Sequence, residues 1–60
     1  MKWENLVMIF GDNGTVNSVE FGTKEEAISY IENTLKAKPK KNALEVWETE
    51  SAEIVLEQWY

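Results

Sequence analysis

The stretch LVMIFGDNGTVNSVEF, residues 6 to 21, decides the fold of this chain, because it holds two strand-like runs on either side of a turn. β-Branched and aromatic residues dominate both runs, which is typical of strands. Between them, Asn13-Gly14 is the strongest short signal for a hairpin, since both residues tolerate a positive φ. The sequence therefore predicts a β-hairpin with strands over residues 2–10 and 15–21.

The length of the hairpin loop determines which side chains share a face. If Asn13-Gly14 is a two-residue loop, Asp12 opposes Thr15, and side chains alternate between the two faces along each strand. The face expected to form the core then carries Leu6, Met8, Val19 and Phe21. The opposite face carries the apolar residues Trp3, Val7, Ile9 and Val16, together with Asn5, Ser18 and Glu20.

A helix is predicted from Lys24 to Lys38. Thr23 and Glu26 have the spacing of a capping box, in which Thr23 is the N-cap. Apolar residues then repeat at helical spacing and form one stripe, made of Ala27, Ile28, Ile31 and Leu35. Pro39 ends the helix. The lysines that cluster around this end interact favourably with the helix dipole, so they require no phosphate ligand to explain them.

Residues 43–49 and 53–60 are two more strands, and two registers are open for the hairpin they form. An odd-length loop, such as Glu50 to Ala52, places Leu44, Val46, Ile54 and Leu56 on the core face. The other face then carries Glu45, Trp47, Glu53, Val55, Glu57 and Trp59. An even loop groups Trp47 with Ile54 and Leu56 but brings Glu45 onto the core face. Because burying an unpaired glutamate is costly, we expect the odd-length loop.

These elements predict one α+β domain over residues 1–60, in the order ββαββ. We expect a four-stranded, mainly antiparallel sheet with one helix packed on one face. The layout is similar to that of the small immunoglobulin-binding domains of bacterial surface proteins, which have a β-grasp arrangement. The resemblance covers the order and lengths of the elements and includes no motif, so it implies a fold and no binding residues.

The composition argues against several classes of function. The chain has 11 acidic residues, six lysines and no arginine, histidine or cysteine, for a net charge of −5. Without histidine or cysteine it lacks the commonest general base and metal ligands, so we expect no enzyme, no catalytic residues, no metal and no cofactor. The missing arginine and the acidic balance disfavour a nucleic-acid partner. The longest apolar run, Leu6 to Phe10, is too short to span a membrane, so we expect no membrane partner and a cytoplasmic protein.

The expected open face of the sheet is the candidate site. Its apolar residues are Trp3, Val7, Ile9, Trp47, Val55 and Trp59, with an acidic rim of Glu45, Glu53 and Glu57. Tryptophans are common interface anchors, so we expect a non-catalytic protein–protein interaction module that self-associates, most simply as a dimer, through this face. The alternative is a small acidic phage-type inhibitor or nucleic-acid mimic that binds a basic surface of a host or defence protein. The glutamate-rich stretch from residue 45 to 57, which contains no basic residue, favours that alternative.

Overall fold

Five antiparallel strands form one open sheet, and a helical segment packs against one of its faces. The computed structural model describes residues 4 to 59. The strands are β1 (Glu4–Gly11), β2 (Val16–Phe21), β3 (Lys38–Pro39), β4 (Val46–Glu48) and β5 (Ala52–Trp59). Their order across the sheet is β2-β1-β5-β4-β3, so the two longest strands are neighbours.

The predicted class, a small α+β domain with a helix and an antiparallel sheet, is confirmed, whereas the predicted four strands and their order match only roughly. The additional strand, β3, is a pair of residues at the sheet edge, where the sequence predicted the end of the helix. Two residues cannot show the alternation by which a strand is recognised. One of them is a proline, which normally argues against a strand and is tolerated at an edge.

The first hairpin has a three-residue loop in place of the predicted two-residue loop. Gly11 N–H donates to the carbonyl of Thr15 at 2.9 Å, and Gly14 N–H donates to the carbonyl of Gly11 at 3.0 Å. Gly14 has a φ of 85°, the left-handed conformation that closes such loops. The Asn13 side chain accepts a hydrogen bond from the Thr15 hydroxyl at 2.7 Å, which holds the turn. As a result Val7, and not Met8, lies opposite Val19.

This shift of one residue reverses the two faces of β1. Val7 is fully buried against the helix, and Ile9 packs against the same core, so their predicted place on the open face is wrong. Leu6 and Met8, which were predicted to be core residues, lie on the opposite face. In β2 the predicted assignment holds, because Phe21 packs against the core and its ring lies 5.1 Å from that of Tyr30.

We predict that Gly14→Ala destabilises the protein by about 1–2 kcal/mol, because a β-carbon is disfavoured in the left-handed conformation. Gly22→Ala is the matched control, since its φ lies outside that region and an added β-carbon meets no atom within 4 Å. The control should change the free energy of unfolding by no more than about 0.5 kcal/mol. Urea denaturation of both variants measures the difference. Equal losses would contradict the left-handed conformation of Gly14.

The helix begins as predicted and ends earlier. Glu26 N–H donates to the Thr23 hydroxyl at 3.2 Å, which confirms Thr23 as the N-cap. The segment α1 (Lys24–Ser29) continues as a π-helical segment, Tyr30–Thr34, in which Leu35 N–H donates to the carbonyl of Tyr30 at 3.0 Å. The predicted apolar stripe faces the sheet. Its members are the buried Ala27 and Ile31 and the partly buried Ile28 and Leu35.

The second hairpin adopts the even loop, so the expected odd-length loop is wrong. Trp47 lies opposite Ile54, and Thr49 N–H donates to the carbonyl of Ala52 at 2.9 Å across a two-residue turn. Trp47 is therefore a core residue with 6% of its surface exposed. Its indole N–H donates to the Glu32 carboxylate at 3.2 Å, so the polar atom of this buried ring has a partner.

The glutamate that argued against this register avoids burial. Glu45 has a φ of 58°, which ends the strand geometry just before β4. Its carboxylate pairs with the Lys24 ammonium of the helix at 2.8 Å, with both side chains partly exposed. Leu44, also expected in the core, is 93% exposed. The backbone carbonyl of Glu45 still accepts a hydrogen bond from Leu56 N–H at 3.0 Å, so the chain stays attached to β5.

The core lies between the helix and the sheet. Its buried apolar residues are Val7, Ala27, Ile31, Ala37, Trp47, Ile54 and Leu56. One polar side chain is buried with them: Asn5, at 1% exposure. Its amide N–H donates to the carbonyl of Phe21 at 3.4 Å, and its amide oxygen accepts from Gln58 at 3.0 Å, so its burial leaves neither end unpaired.

Candidate functional site

The side of the sheet that faces away from the helix, here called the open face, has no element packed on it among residues 4 to 59. Besides Ser18 and Lys38, the strand registers place two kinds of side chain on it. The first kind forms what we call the apolar strip: Leu6, Met8, Phe10, Val16, Val46, Val55 and Trp59. The second kind comprises the open-face glutamates: Glu4, Glu20, Glu48, Glu53 and Glu57.

The apolar strip is continuous across the sheet. In its middle row, Met8 of β1 lies opposite Val55 of β5, and Val55 lies opposite Val46 of β4. These three side chains are half-buried by their neighbours. At the two ends of the face the aromatic rings are more accessible, with Phe10 39% and Trp59 57% exposed. The strip therefore offers apolar area that a partner could cover.

The open-face glutamates interleave with the apolar strip and are not confined to its rim. Glu53 and Glu57 flank Val55 on β5, which is the middle strand of the sheet. Glu57 lies opposite Leu6, and Glu53 lies opposite Phe10. All of the open-face glutamates are exposed. Any molecule that covers the strip must therefore come into contact with carboxylates near its centre.

Among residues 4 to 59, basic groups reach this face only from the β3 side. In the part of the chain that the structure describes, the one ion pair on the open face joins the Lys40 ammonium to the Glu53 carboxylate at 2.6 Å. The hydrogen bond to Glu53, and then its charge, raise the pKa of Lys40 above the ordinary 10.5. Any stability from this pair is thus present below pH 10.5 and lost as the pH rises through the raised pKa. Because both groups are exposed, the pair holds Glu53 only weakly.

The structure divides the residues of the predicted site between two surfaces. Val55, Trp59, Glu53 and Glu57 lie on the open face, as the sequence predicted. Val7, Ile9 and Trp47 lie on the helix side, which corrects their predicted exposure. Glu45 turns toward the helix and Lys24. Trp3 lies outside the described residues.

Sequence reasoning missed much of the open face, because the one-residue shift moved Leu6 and Met8 onto it. A signal for the correct register was present in the turn. An Asn-Gly pair also closes three-residue loops, in which the glycine takes the left-handed conformation and the preceding residues form a type I turn. Under that register Leu6, Met8 and Phe10 would have been assigned to the open face together with Glu4.

A groove away from the centre of the open face has a lining of mixed charge. An open groove of about 670 Å³ lies between the end of the helix and the β4–β5 turn, and its charged lining residues are Lys36, Lys38, Glu48 and Glu50. Opposite charges in similar number give it no preference for either sign of ligand. Among residues 4 to 59, no three His, Cys, Asp or Glu side chains come together as ligands for a metal ion. Within the same residues, no helix has both the length and the apolar character needed to cross a bilayer.

Comparison with known proteins suggests no function for this chain, so a function has to be inferred from the open face. No family model matches the chain, and neither does a curated protein or a solved structure.

Proposed function

We propose that this protein is a non-catalytic protein-interaction module that binds a basic surface of a partner protein through its open face. One observation carries the proposal: the exposed carboxylates of Glu53 and Glu57 flank Val55 on the middle strand of the sheet. A partner must satisfy these charges and cover the apolar strip at the same time. Lysine and arginine side chains do both, since each combines an apolar stem with a cationic end.

The apolar strip supplies the contact area. Interfaces between proteins are apolar at their centre, and aromatic residues are enriched there. Phe10 and Trp59 are the exposed aromatic side chains of the strip. Trp59 is held in place by a hydrogen bond from its indole N–H to the Glu57 carboxylate at 3.2 Å, which aligns an apolar surface beside a charge. The Trp59 ring can contact the apolar side chains of an amphipathic basic segment while the Glu57 carboxylate contacts its cationic groups.

The same charges disfavour the face-to-face homodimer that the sequence predicted. Such a dimer would press the open-face glutamates of one copy against those of the other, and buried like charges are strongly unfavourable. Three of the residues expected to supply its apolar contacts, Val7, Ile9 and Trp47, belong to the core. The composition of the open face thus favours the second function predicted from the sequence, an acidic protein that binds a basic surface.

A synthetic amphipathic peptide, with leucines along one helical face and lysines on both flanks, serves as the probe. We expect the double variant Glu53→Gln/Glu57→Gln to bind it roughly tenfold more weakly than the native protein, because two central charge contacts are lost. Affinity for the native protein should also fall as salt is raised from low to physiological strength. Isothermal titration calorimetry at two salt concentrations measures both effects.

The double variant Glu25→Gln/Glu50→Gln is the matched control. It makes the same change in net charge, at exposed positions in the first turn of α1 and in the β4–β5 turn. Its affinity for the peptide should stay close to that of the native protein. If both double variants weaken binding equally, the peptide responds to net charge alone and the open face is not the binding site.

A further inference from the structure

The two edges of the sheet differ in how well they are protected against pairing with another strand. One edge is β3, which is only two residues long and contains Pro39. Lys38 precedes this proline and Lys40 follows it. Short length, proline and lysine are the devices by which proteins block an exposed sheet edge. The β3 edge is therefore closed to strand addition.

The opposite edge, β2, has none of these devices. It is six residues long, VNSVEF, with no proline, glycine, lysine or arginine. Its only charged residue is Glu20. Within the described part of the chain, the outer side of β2 pairs with no other strand. Val16, at its start, is 59% exposed. An edge of this length and composition is a ready template for another strand.

The hydrogen-bonding phase shows which backbone groups are available on β2. Gly11 N–H donates to the carbonyl of Thr15, so this opposed pair is hydrogen-bonded to β1. In an antiparallel ladder the backbone groups of successive residues point alternately toward and away from the neighbouring strand. The N–H and C=O groups of Val16, Ser18 and Glu20 therefore point away from the sheet.

We propose that the β2 edge pairs antiparallel with the β2 edge of a second copy of this chain. A two-fold axis then passes beside Ser18, which lies opposite its own equivalent, and Val16 lies opposite Glu20 of the other copy. In this register every outward N–H of Val16, Ser18 and Glu20 faces a carbonyl of the partner. The two sheets join into one, with both helices on the same side and both open faces on the other.

The one charged residue of β2, Glu20, is compatible with this register. It is not compatible with a self-pairing centred on Glu20 itself. When Ser18 is on the axis, the two Glu20 residues lie four positions apart along the strands, or about 13 Å at 3.3 Å per residue. That distance exceeds the screening length of about 8 Å at physiological salt. A pairing centred on Glu20 would instead place the two carboxylates directly opposite each other, which is unfavourable.

We infer a second copy as the partner because β2 fits its own equivalent in this register. The net charge of the chain determines how the pairing responds to salt. Each copy carries a net charge of −5, so two copies repel at low salt. Raising the salt concentration screens the repulsion and should strengthen the edge pairing. Binding of the basic peptide to the open face has the opposite salt dependence. The two proposals share Val16 and Glu20, but the edge pairing uses their backbone groups whereas the open face uses their side chains, so each proposal can fail without the other.

Sedimentation equilibrium of the native protein, Ser18→Lys and Ser51→Lys tests the pairing. A single edge contact is small, so we expect a dimer with a Kd of about 1 mM or tighter at physiological salt. Ser18→Lys puts two ammonium groups face to face on the axis and should weaken dimerisation at least tenfold. Ser51→Lys makes the same substitution on an exposed side chain of the β4–β5 turn and should dimerise like the native protein. A native protein that remains monomeric at about 1 mM overturns the proposal.

Amide hydrogen exchange at low and high protein concentration locates the contact. Protection of Val16, Ser18 and Glu20 should rise with concentration, whereas Asn17 and Val19, which bond to β1, should be protected throughout. Ser18→Pro removes an outward N–H without breaking a bond to β1, so it should stay folded and monomeric. A dimer whose concentration-dependent protection falls elsewhere, or one that Ser18→Pro and Ser18→Lys leave intact, refutes edge pairing.

Discussion

Replacing Val7 by aspartate is expected to abolish cooperative folding at 25 °C. The Val7 side chain is fully buried between the sheet and the helix. The substitution removes about 1.5–3 kcal/mol of apolar burial and places a carboxylate among the apolar side chains of the core. A core of this size supplies only about 3–5 kcal/mol of net stability. Far-ultraviolet circular dichroism and a urea titration should therefore show an unfolded chain.

Met8→Asp is the control for this experiment, since Met8 is the adjacent residue on the open face. Its side chain is half-buried, so an aspartate there can reach solvent. We expect Met8→Asp to keep a cooperative transition and to lose no more than about 2 kcal/mol. The reverse result, in which Met8→Asp unfolds and Val7→Asp does not, would restore the two-residue loop and the faces first predicted from the sequence.

The order of hairpins and helix could be predicted because local signals define it. The N-cap at Thr23 and the stripe that includes Ala27 and Ile31 are both found in the structure as predicted. These features depend on residues three or four positions apart, which a sequence shows directly. The helix ends before the predicted Lys38: its last turn is π-helical, and Lys36 then takes a left-handed φ of 56°. No residue pattern in the sequence predicts either feature.

The register of each hairpin could not be predicted as reliably as the helix, because it depends on the number of residues in the turn. Two loop lengths suit Asn13-Gly14, and they differ by one residue. That difference moved Val7 into the core and Met8 out of it. In the second hairpin the objection to the correct register was the burial of Glu45, which the chain avoids with a positive φ and a contact to Lys24. A sequence pattern shows neither a positive φ at a single residue nor a contact between two residues 21 positions apart.

The registers of the two hairpins determine which side chains form the candidate site. Val55, Trp59, Glu53 and Glu57 were predicted on the open face because β5 alternates cleanly, with Ile54 and Leu56 buried between them. The even loop of the second hairpin moved Trp47 into the core, and the shift in the first hairpin exchanged the two faces of β1. The carboxylates of Glu53 and Glu57 at the centre of this face are the reason that a basic partner is proposed for it.

Trp47→Ala and Trp59→Ala together test which face each of these two tryptophans occupies. Trp47 is 6% exposed and packs in the core, so its truncation should lower the free energy of unfolding by about 3–5 kcal/mol, enough to leave much of the protein unfolded. Trp59 is 57% exposed on the open face, so the same substitution there should cost no more than about 1 kcal/mol. Urea denaturation followed by circular dichroism compares the two variants without relying on the fluorescence of the residues removed.

Peptide binding should depend on Trp59 and not on Trp47, which is the reverse of their expected effects on stability. Trp59→Ala should remain folded and bind the basic amphipathic peptide several-fold more weakly, because the variant loses the most exposed aromatic ring of the apolar strip. Any residual folded fraction of Trp47→Ala should bind with native affinity, since Trp47 contributes nothing to the open face. Equal losses of stability in the two variants would place both rings in one environment and contradict the even loop of the second hairpin. Unchanged peptide binding by Trp59→Ala would instead remove this residue from the binding surface while leaving the fold intact.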